Sequence, residues 1–149
     1  MRPNPQFFRV AVDTPLRRLF DYLPPAQASG DAEPRPGTRV RVPFGRRRMI
    51  GVVMGVSGTS DLPAERLKPI LEVLDAAPPL EASALALIQW AAEYYHHPVG
   101  QVLASALPRL MRLGAGVAAT EERWTVTDAG REAAAAGEPR RAARQRAVL

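Results

Sequence analysis

The residues best suited to chemistry fall in three short segments: Phe20-Asp21-Tyr22, the basic run from Arg39 to Arg46, and Leu67-Lys68. An aromatic ring can stack on a nucleic-acid base of any sequence. A carboxylate accepts hydrogen bonds, and a lysine or arginine attracts phosphate. Each type also has an ordinary structural role: the aromatic in a core, the acid in a turn and the lysine as a solvated charge.

The motifs of common enzyme classes are missing from the chain. It has neither the Gly-x-x-x-x-Gly-Lys-Ser/Thr phosphate loop nor the Gly-x-Ser-x-Gly elbow. It has no cysteine, which excludes disulfides and thiolate metal sites, and its histidines are His96 and His97. Neighbouring helical residues point about 100° apart, so these two rings cannot bind one ion from one face. We expect no catalytic residues, metal site or cofactor in this chain.

Charge is distributed unevenly along the 149 residues. Residues 1–60 carry ten Arg and four acids, residues 61–107 carry two bases and six acids, and residues 108–149 carry eight Arg and five acids. Basic segments attract polyanions, and nucleic acid is the first candidate. Lys68 is the single Lys among the 20 bases. High genomic G+C content explains that bias equally well, so we do not interpret the Arg richness as phosphate recognition.

The elements that must position these residues begin with short strands. Alternating apolar residues predict a half-buried strand at residues 6–12, another at 19–23, and a hairpin made of residues 38–44 and 49–57. Interior glycines in the last of these strands indicate a bulge or a close backbone approach. A strand at residues 67–74 belongs at an edge, because Pro69 cannot donate to a ladder. Short twisted strands of this number favour a small barrel.

The hairpin carries a basic tip. Val40, Val42 and Phe44 alternate with Arg39 and Arg41, so the two arginines are predicted to face away from the core. The sequence predicts a turn at Gly45-Arg46-Arg47-Arg48. Arg46, Arg47 and Arg48 suit the backbone of a DNA duplex, and a simple solvated turn explains them equally well.

Helical spacing replaces the strand pattern after residue 80. Leu85, Ile88, Ala92 and Tyr95 recur at that spacing and predict a helix over residues 81–96, which Pro98 ends. A second helix is predicted over residues 99–107 and a linker over 109–119. A strand near 123–127, an Ala-rich helix near 128–136 and a last helix from Arg140 follow. That last helix looks cut off.

We therefore predict an α+β fold with two parts. Residues 1–112 form one domain, with a small β-barrel-like subdomain (about 6–75) followed by a helical subdomain (about 80–107). Residues 113–149 form a linker and an incomplete further segment. No apolar run reaches the roughly 18 residues of a membrane span. Residues 1–9 lack the apolar region of a secretory signal, so we expect a cytoplasmic protein without a membrane partner.

Several motifs, in this order and spacing, resemble the primosomal protein N′ (PriA) family of bacterial replication-restart helicases. They are Leu19-Phe20-Asp21-Tyr22-Leu23, Arg39 to Arg46, Ile50-Gly51-Val52-Val53, Leu67-Lys68, Glu72-Val73-Leu74-Asp75 and Trp90 to Gly100. The resemblance covers about residues 8–112. Trp124 to Thr127, Gly130 and the Arg-x-x-Arg-Gln run resemble the start of that family's winged-helix domain.

The resemblance implies a 3′-DNA-binding domain. It implies that the chain holds the 3′-OH end of the nascent leading strand at a stalled or abandoned replication fork, without base-sequence specificity. The family's pocket residues match Phe20, Asp21, Gly45 and Lys68. The full-length helicase then directs restart and primosome assembly near the nucleoid. Its ATP-dependent 3′–5′ motor and zinc region, which use ATP, Mg and zinc, lie further along than these residues.

Physical chemistry gives each matched residue a role. Asp21 repels phosphate but accepts a hydrogen bond from a 3′-hydroxyl, worth about 1.5–3 kcal/mol. Phe20 stacks on a base, Gly45 lets backbone approach the nucleotide, and Lys68 contacts phosphate. Neighbours in a regular strand face opposite ways, so Phe20 and Asp21 share one nucleotide only where the strand ends or bulges.

Two other functions remain open at this point. The chain is alternatively a protein-interaction module that docks onto primosome proteins or single-stranded DNA-binding protein. Substitution of Asp21 or Lys68 distinguishes this interaction module from a DNA-binding domain, because only DNA binding should be weakened. In a complete winged-helix domain, four arginines near the end of the chain could contact the parental DNA duplex: Arg140, Arg141, Arg144 and Arg146. The missing motifs make an enzyme the weakest interpretation.

Overall fold

Alternating apolar residues fold into five short strands in the computed structural model, which describes residues 6–26, 33–116 and 125–137. The strands are β1 (Phe7–Val12), β2 (Phe20–Tyr22), β3 (Arg39–Phe44), β4 (Arg47–Ser57) and β5 (Glu72–Val73). The helices are α1 (Ala82–Tyr94), α2 (Val99–Ala106), α3 (Arg109–Arg112) and α4 (Asp128–Ala135). The fold is therefore α+β, as the sequence predicts. None of the helices in these described ranges is both long enough and apolar enough to cross a membrane.

The chain divides into two units, Met1–Ala118 and Ala119–Leu149. In the described part of the second unit, α4 begins after Thr127, whose side chain accepts a hydrogen bond from the Gly130 amide at 3.2 Å. Residues 125–127 form no strand. Residues 123–124 of the predicted strand and the predicted helix from Arg140, with its four arginines, lie outside the described residues.

The strands of the first unit form an open antiparallel sheet, so the predicted barrel is wrong. Their order is β2-β1-β4-β3-β5. The two edges meet at one described parallel bridge, where the Leu23 amide donates to the Lys68 carbonyl and the Ile70 amide donates to the Leu23 carbonyl, each at 3.0 Å. Pro69 has no N–H and β5 has two residues, so the pairing goes no further. Most of the strand predicted at 67–74 is extended chain after a 3-10 turn at Ala64–Arg66.

Both faces of the sheet are covered by apolar residues. One face holds a cluster that includes Phe8, Val10 and Val12 of β1. The other face packs Ala11 and Val52 against side chains of α1 and α2. β1 is therefore buried on both faces rather than half-buried as predicted, because the helices lie against the second face.

Glycines bring the backbones of these elements close together. A Cβ on Gly100 of α2 would lie 1.8 Å from the Val12 carbonyl oxygen, so only glycine allows α2 to contact the end of β1. A Cβ on Gly51 would lie 2.6 Å from the Ala11 carbonyl oxygen. The register of β1 and β4 shifts between the Arg9–Gly55 and Val10–Val53 pairs, which is a bulge. Both features predicted from the glycines of β4 are present.

Helix α1 buries Leu85, Ile88 and Ala92, as their spacing predicts. It ends at Tyr94, two residues before the predicted end. His96 has a positive φ of 51°, and the His97 amide donates to the Ala92 carbonyl at 2.9 Å. Tyr95 therefore leaves the buried face and is 69% exposed.

Arg39 contradicts the prediction that it faces away from the core. Its side chain is fully buried, and its guanidinium pairs with Asp75 at 2.6 Å. The same guanidinium donates to the carbonyls of Met111 at 2.7 Å and Ala115 at 2.8 Å. The Asp75 carboxylate also accepts from the Arg39 backbone amide at 2.9 Å. This hydrogen-bonded pair ties β3 to the chain after β5 and to the end of α3. Arg41 is partly exposed and pairs with Glu72 at 2.8 Å.

Candidate nucleic-acid interface

A cavity of about 160 Å³ lies at the edge of the sheet that β2 forms, and the four predicted site residues all line it. They come from three segments: Phe20 and Asp21 from β2, Gly45 from the turn after β3, and Lys68 from the chain before β5. The backbone bridge between Leu23 and the Lys68 carbonyl brings the first and third segments together. We call this cavity the end pocket.

Asp21 retains hydrogen-bonding capacity at the end pocket. One carboxylate oxygen, Oδ2, accepts a hydrogen bond from the Ser60 hydroxyl at 2.6 Å. The other, Oδ1, lies 3.9 Å from Nε of Arg9, which is too long for a hydrogen bond. The Asp21 side chain is 19% exposed. An ionised carboxylate offers about four acceptor positions, so Asp21 can accept a further donor from a ligand.

Phe20 is half-buried and serves partly as a core residue. Its ring meets the ring of Phe44 edge-on, with centroids 5.0 Å apart. The Arg18 guanidinium lies over the Phe20 ring, 5.2 Å from its centroid. Phe20 begins β2, which is an edge strand of three residues. Phe20 and Asp21 both line the end pocket although neighbours in a strand face opposite ways, as expected where a strand this short begins at a sheet edge.

Gly45 opens a two-residue turn, which is tighter than the predicted four-residue turn. Phe44 pairs with Arg47, so only Gly45 and Arg46 lie between the strands. Gly45 has a φ of 58°, and no described non-glycine residue in this turn has a positive φ. That pattern is typical of a type II′ turn. A Cβ on Gly45 would have no neighbour within 4 Å, so space beside this glycine is open to a ligand.

The basic hairpin tip is separate from the end pocket lining. Arg46, Arg47 and Arg48 are all exposed, and none of them lines the pocket. Arg47 and Arg48 belong to β4 rather than to the turn. Lys68 is exposed and lines the pocket, which leaves its ammonium group accessible to phosphate.

Sequence reasoning missed three residues around the end pocket. Arg18 lines it and covers Phe20, Ser60 orients Asp21, and Arg66 adds a second cation beside Lys68. Arg18 precedes Phe20 by two residues, so a basic residue at strand spacing was the available signal. Ser60 carried no signal, because it lies 39 residues from its partner in a loop.

Tyr22 closes the inner side of the end pocket. Its side chain is 5% exposed, and its hydroxyl donates to the Pro43 carbonyl at 3.1 Å. Burial raises the pKa of the Tyr22 hydroxyl to about 12. The hydroxyl is therefore neutral at physiological pH. In the described part of the chain, no three His, Cys, Asp or Glu side chains form a group that could hold a metal ion.

A family model described as the 3′ DNA-binding domain (3′BD) of PriA matches residues 9–108. The chain is similar to the replication restart protein PriA of Haemophilus influenzae, with 39% identity over 142 residues, which is 95% of this chain and 19% of the relative. It is also similar to PriA of Treponema pallidum, with 32% identity over 71% of this chain and 16% of the relative. PriA of Bacillus subtilis is 34% identical over 56% of this chain and 11% of the relative. The chain thus spans about a fifth or less of these relatives' length.

Proposed function

This chain belongs to the PriA family of replication restart proteins, in the region of the family's 3′ DNA-binding domain and not its catalytic helicase part, and from that premise we propose that it holds the 3′-OH end of the nascent leading strand at a stalled fork. Binding takes place at the end pocket and does not depend on base sequence. It directs replication restart and primosome assembly by the full-length protein.

One observation carries this proposal: Phe20, Asp21, Gly45 and Lys68, which are distant in sequence, all line one cavity. The cavity combines an aromatic ring, a carboxylate with spare acceptor capacity, an open backbone and an accessible ammonium. A carboxylate would weaken binding in a pocket for the middle of a strand, because it repels the phosphate that every internal nucleotide carries. Within the sugar–phosphate backbone of DNA, a terminal hydroxyl is the group that can donate a hydrogen bond to this carboxylate.

The experiment compares forked DNA whose leading strand ends in a 3′-hydroxyl with the same fork ending in a 3′-phosphate. Fluorescence anisotropy in the presence of a chelator measures binding, because we propose that the end pocket needs neither metal nor nucleotide. We expect the hydroxyl fork to bind about tenfold or more tightly, since it gains a charge-assisted hydrogen bond and avoids repulsion by Asp21. Equal affinity for the two forks contradicts the proposal.

Two variants assign the preference to the pocket. Asp21→Asn keeps the side-chain size but removes the charge, so the discrimination between the two forks should disappear. Asp13→Asn is the matched control, because Asp13 is an exposed acid that does not line the end pocket. A preference that survives Asp21→Asn places the discrimination elsewhere.

A second function is supported by an aromatic cluster on α1. Trp90, Tyr94 and Tyr95 are 53%, 65% and 69% exposed, and Leu87 on the same helix is 62% exposed. The Trp90 and Tyr94 rings stack with centroids 5.1 Å apart. Exposed apolar groups of this size mark interaction sites. We propose that this cluster docks a primosome protein or single-stranded DNA-binding protein.

The two functions separate by substitution. Trp90→Ala should weaken capture of single-stranded DNA-binding protein in a calorimetric titration and leave binding of the hydroxyl fork unchanged. Lys68→Ala should weaken binding of the hydroxyl fork and leave capture of single-stranded DNA-binding protein unchanged. A Trp90→Ala variant that binds single-stranded DNA-binding protein as tightly as the original chain contradicts the docking function.

A further inference from the structure

Two further cavities adjoin the end pocket. Its volume of about 160 Å³ is small beside pockets that enclose a whole ligand, which begin at about 300 Å³. A cavity of about 500 Å³ shares Arg18, Asp21 and Leu62 with the end pocket. A third cavity of about 270 Å³ shares Arg18 and Leu19 with the second. Arg18 lines all three cavities, so they adjoin one another, and we call the three together the groove.

We infer that this groove holds the backbone of the nucleotides that precede the 3′ end, with Arg18 as the positioning residue at the junction and Arg17 as a phosphate contact at the far end. This inference rests on the proposed function of the end pocket. It extends the site from β2 to the C-terminal end of α1, a region that the predicted site does not include.

The charges along the groove favour a defined path for one DNA strand, and not the diffuse binding that a uniformly basic surface would give. Each cavity carries cations, with Lys68 and Arg66 in the end pocket, Arg9 in the middle and Arg17 in the far cavity. Acids lie between them: Asp21, Asp61 and Glu93. Phosphates are repelled by the acids and attracted to the arginines, so the negative backbone is confined to the positions that the arginines define.

Arg17 is fixed at the far end of the groove. Its guanidinium donates to Nδ1 of His96 at 3.2 Å, which attaches it to the turn after α1. Both Arg17 and Arg18 are otherwise exposed. A guanidinium held by one hydrogen bond keeps other N–H groups for a phosphate oxygen.

Arg18 links the end pocket to the rest of the groove. It is the one described residue that lines all three cavities, and its guanidinium lies over the Phe20 ring. A base that stacks on this face of Phe20 displaces the guanidinium into the adjoining cavity, where the preceding phosphate lies. Stacking of the terminal base and contact with that phosphate therefore occur together.

The test uses single-stranded oligonucleotides that end in a 3′-hydroxyl, with length increasing from a dinucleotide, and measures affinity by anisotropy at several salt concentrations. Affinity should rise with length until the groove is filled. Arg17→Ala should leave dinucleotide affinity unchanged and lower the affinity of the longer strands by about tenfold. For those longer strands the slope of log affinity against log salt should fall by about 0.7.

Arg18→Ala should weaken every length, because Arg18 touches both parts of the site. Arg109→Ala is the matched control, since Arg109 is exposed and lies outside the lining of all three cavities. Far-ultraviolet circular dichroism checks that the variants fold. If Arg17→Ala weakens all lengths equally or none of them, the groove inference is wrong. A lost preference for 3′-hydroxyl over 3′-phosphate in the unmodified chain overturns the proposed function instead.

Discussion

Two acid–base pairs lie on the same sheet and differ in almost every physical respect. Arg39 and Asp75 pair at 2.6 Å with side chains 0% and 4% exposed. Arg9 and Asp21 approach to 3.9 Å with side chains 50% and 19% exposed. The first pair lies between β3 and the chain after β5, and the second between β1 and β2 at the opposite edge of the sheet. We call them the closed pair and the open pair.

The difference decides which of the two pairs can still bind a ligand. Protein acceptors surround the Arg39 guanidinium, so the closed pair has no place for a ligand. The open pair is not hydrogen-bonded to itself, and among described residues Asp21 accepts one hydrogen bond, from Ser60. The closed pair fixes tertiary structure, whereas the open pair keeps a carboxylate ready for a donor from outside.

The largest effect should come from breaking the closed pair. Asp75→Asn leaves the Arg39 charge buried without a counter-charge, and we expect the free energy of unfolding to fall by about 3–5 kcal/mol. Urea denaturation followed by circular dichroism measures it. Glu72→Gln is the control, because its pair with Arg41 is exposed and should change stability by about 1 kcal/mol or less. Similar losses for both variants would remove the distinction between closed and exposed pairs.

A second effect should appear at alkaline pH, through Tyr22 beside the open pair. The pKa of its hydroxyl is raised by burial from 10.0 to about 12 in the folded protein. Stability from this group is complete below pH 10 and is lost as pH rises through 12, a total of about 2–3 kcal/mol at 1.36 kcal/mol per pKa unit. Urea midpoints across this range measure it.

Tyr22→Phe is the control for this pH effect, because it removes the titrating hydroxyl and should flatten the alkaline fall. The variant also loses the bond to the Pro43 carbonyl, about 1 kcal/mol at all lower pH values. An unchanged alkaline fall would show that a group other than the Tyr22 hydroxyl causes it.

The open pair should respond in binding and not in stability. Asp21→Asn should weaken binding of the 3′-hydroxyl fork by about 1.5–3 kcal/mol, the value of a charge-assisted hydrogen bond. The free energy of unfolding should change by about 1 kcal/mol or less, because the pair with Arg9 is long and partly exposed. Anisotropy and urea denaturation on the same protein give both numbers. A large stability loss would make Asp21 a second structural acid.

The contrast between the pairs also marks what the sequence could predict. Local patterns correctly predicted the hairpin, α1 with its buried Leu85, Ile88 and Ala92, and the mixed α+β class. These features depend on periodicity and turn chemistry, which a single segment contains. The resemblance to a family brought Phe20, Asp21, Gly45 and Lys68 together before any geometry was known. Their roles in DNA binding stay predictions.

The remaining features depend on contacts between distant segments. Arg39 alternates with valines, so periodicity alone assigned it to the solvent face, and only the covering helices and Asp75, 36 residues away, bury it. The barrel was predicted from strand number, but closure depends on how far the chain around Pro69 can pair. Ser60 reaches Asp21 from a loop 39 residues away, and loop geometry carries no sequence period.

The smallest effect should come from the turn that borders the open pair. Gly45→Ala forces a φ of 58° on a residue with a Cβ, at a cost of about 1–2 kcal/mol in unfolding free energy. The added methyl meets no protein atom, so any further loss in fork binding reports contact with DNA. Gly55→Ala is the matched control, because its Cβ also meets nothing and its φ is not positive. It should leave fork binding unchanged. If Gly45→Ala lowers stability but binds the 3′-hydroxyl fork as the unmodified chain does, Gly45 is a turn residue alone, and the proposed DNA contacts of the end pocket reduce to Phe20, Asp21 and Lys68.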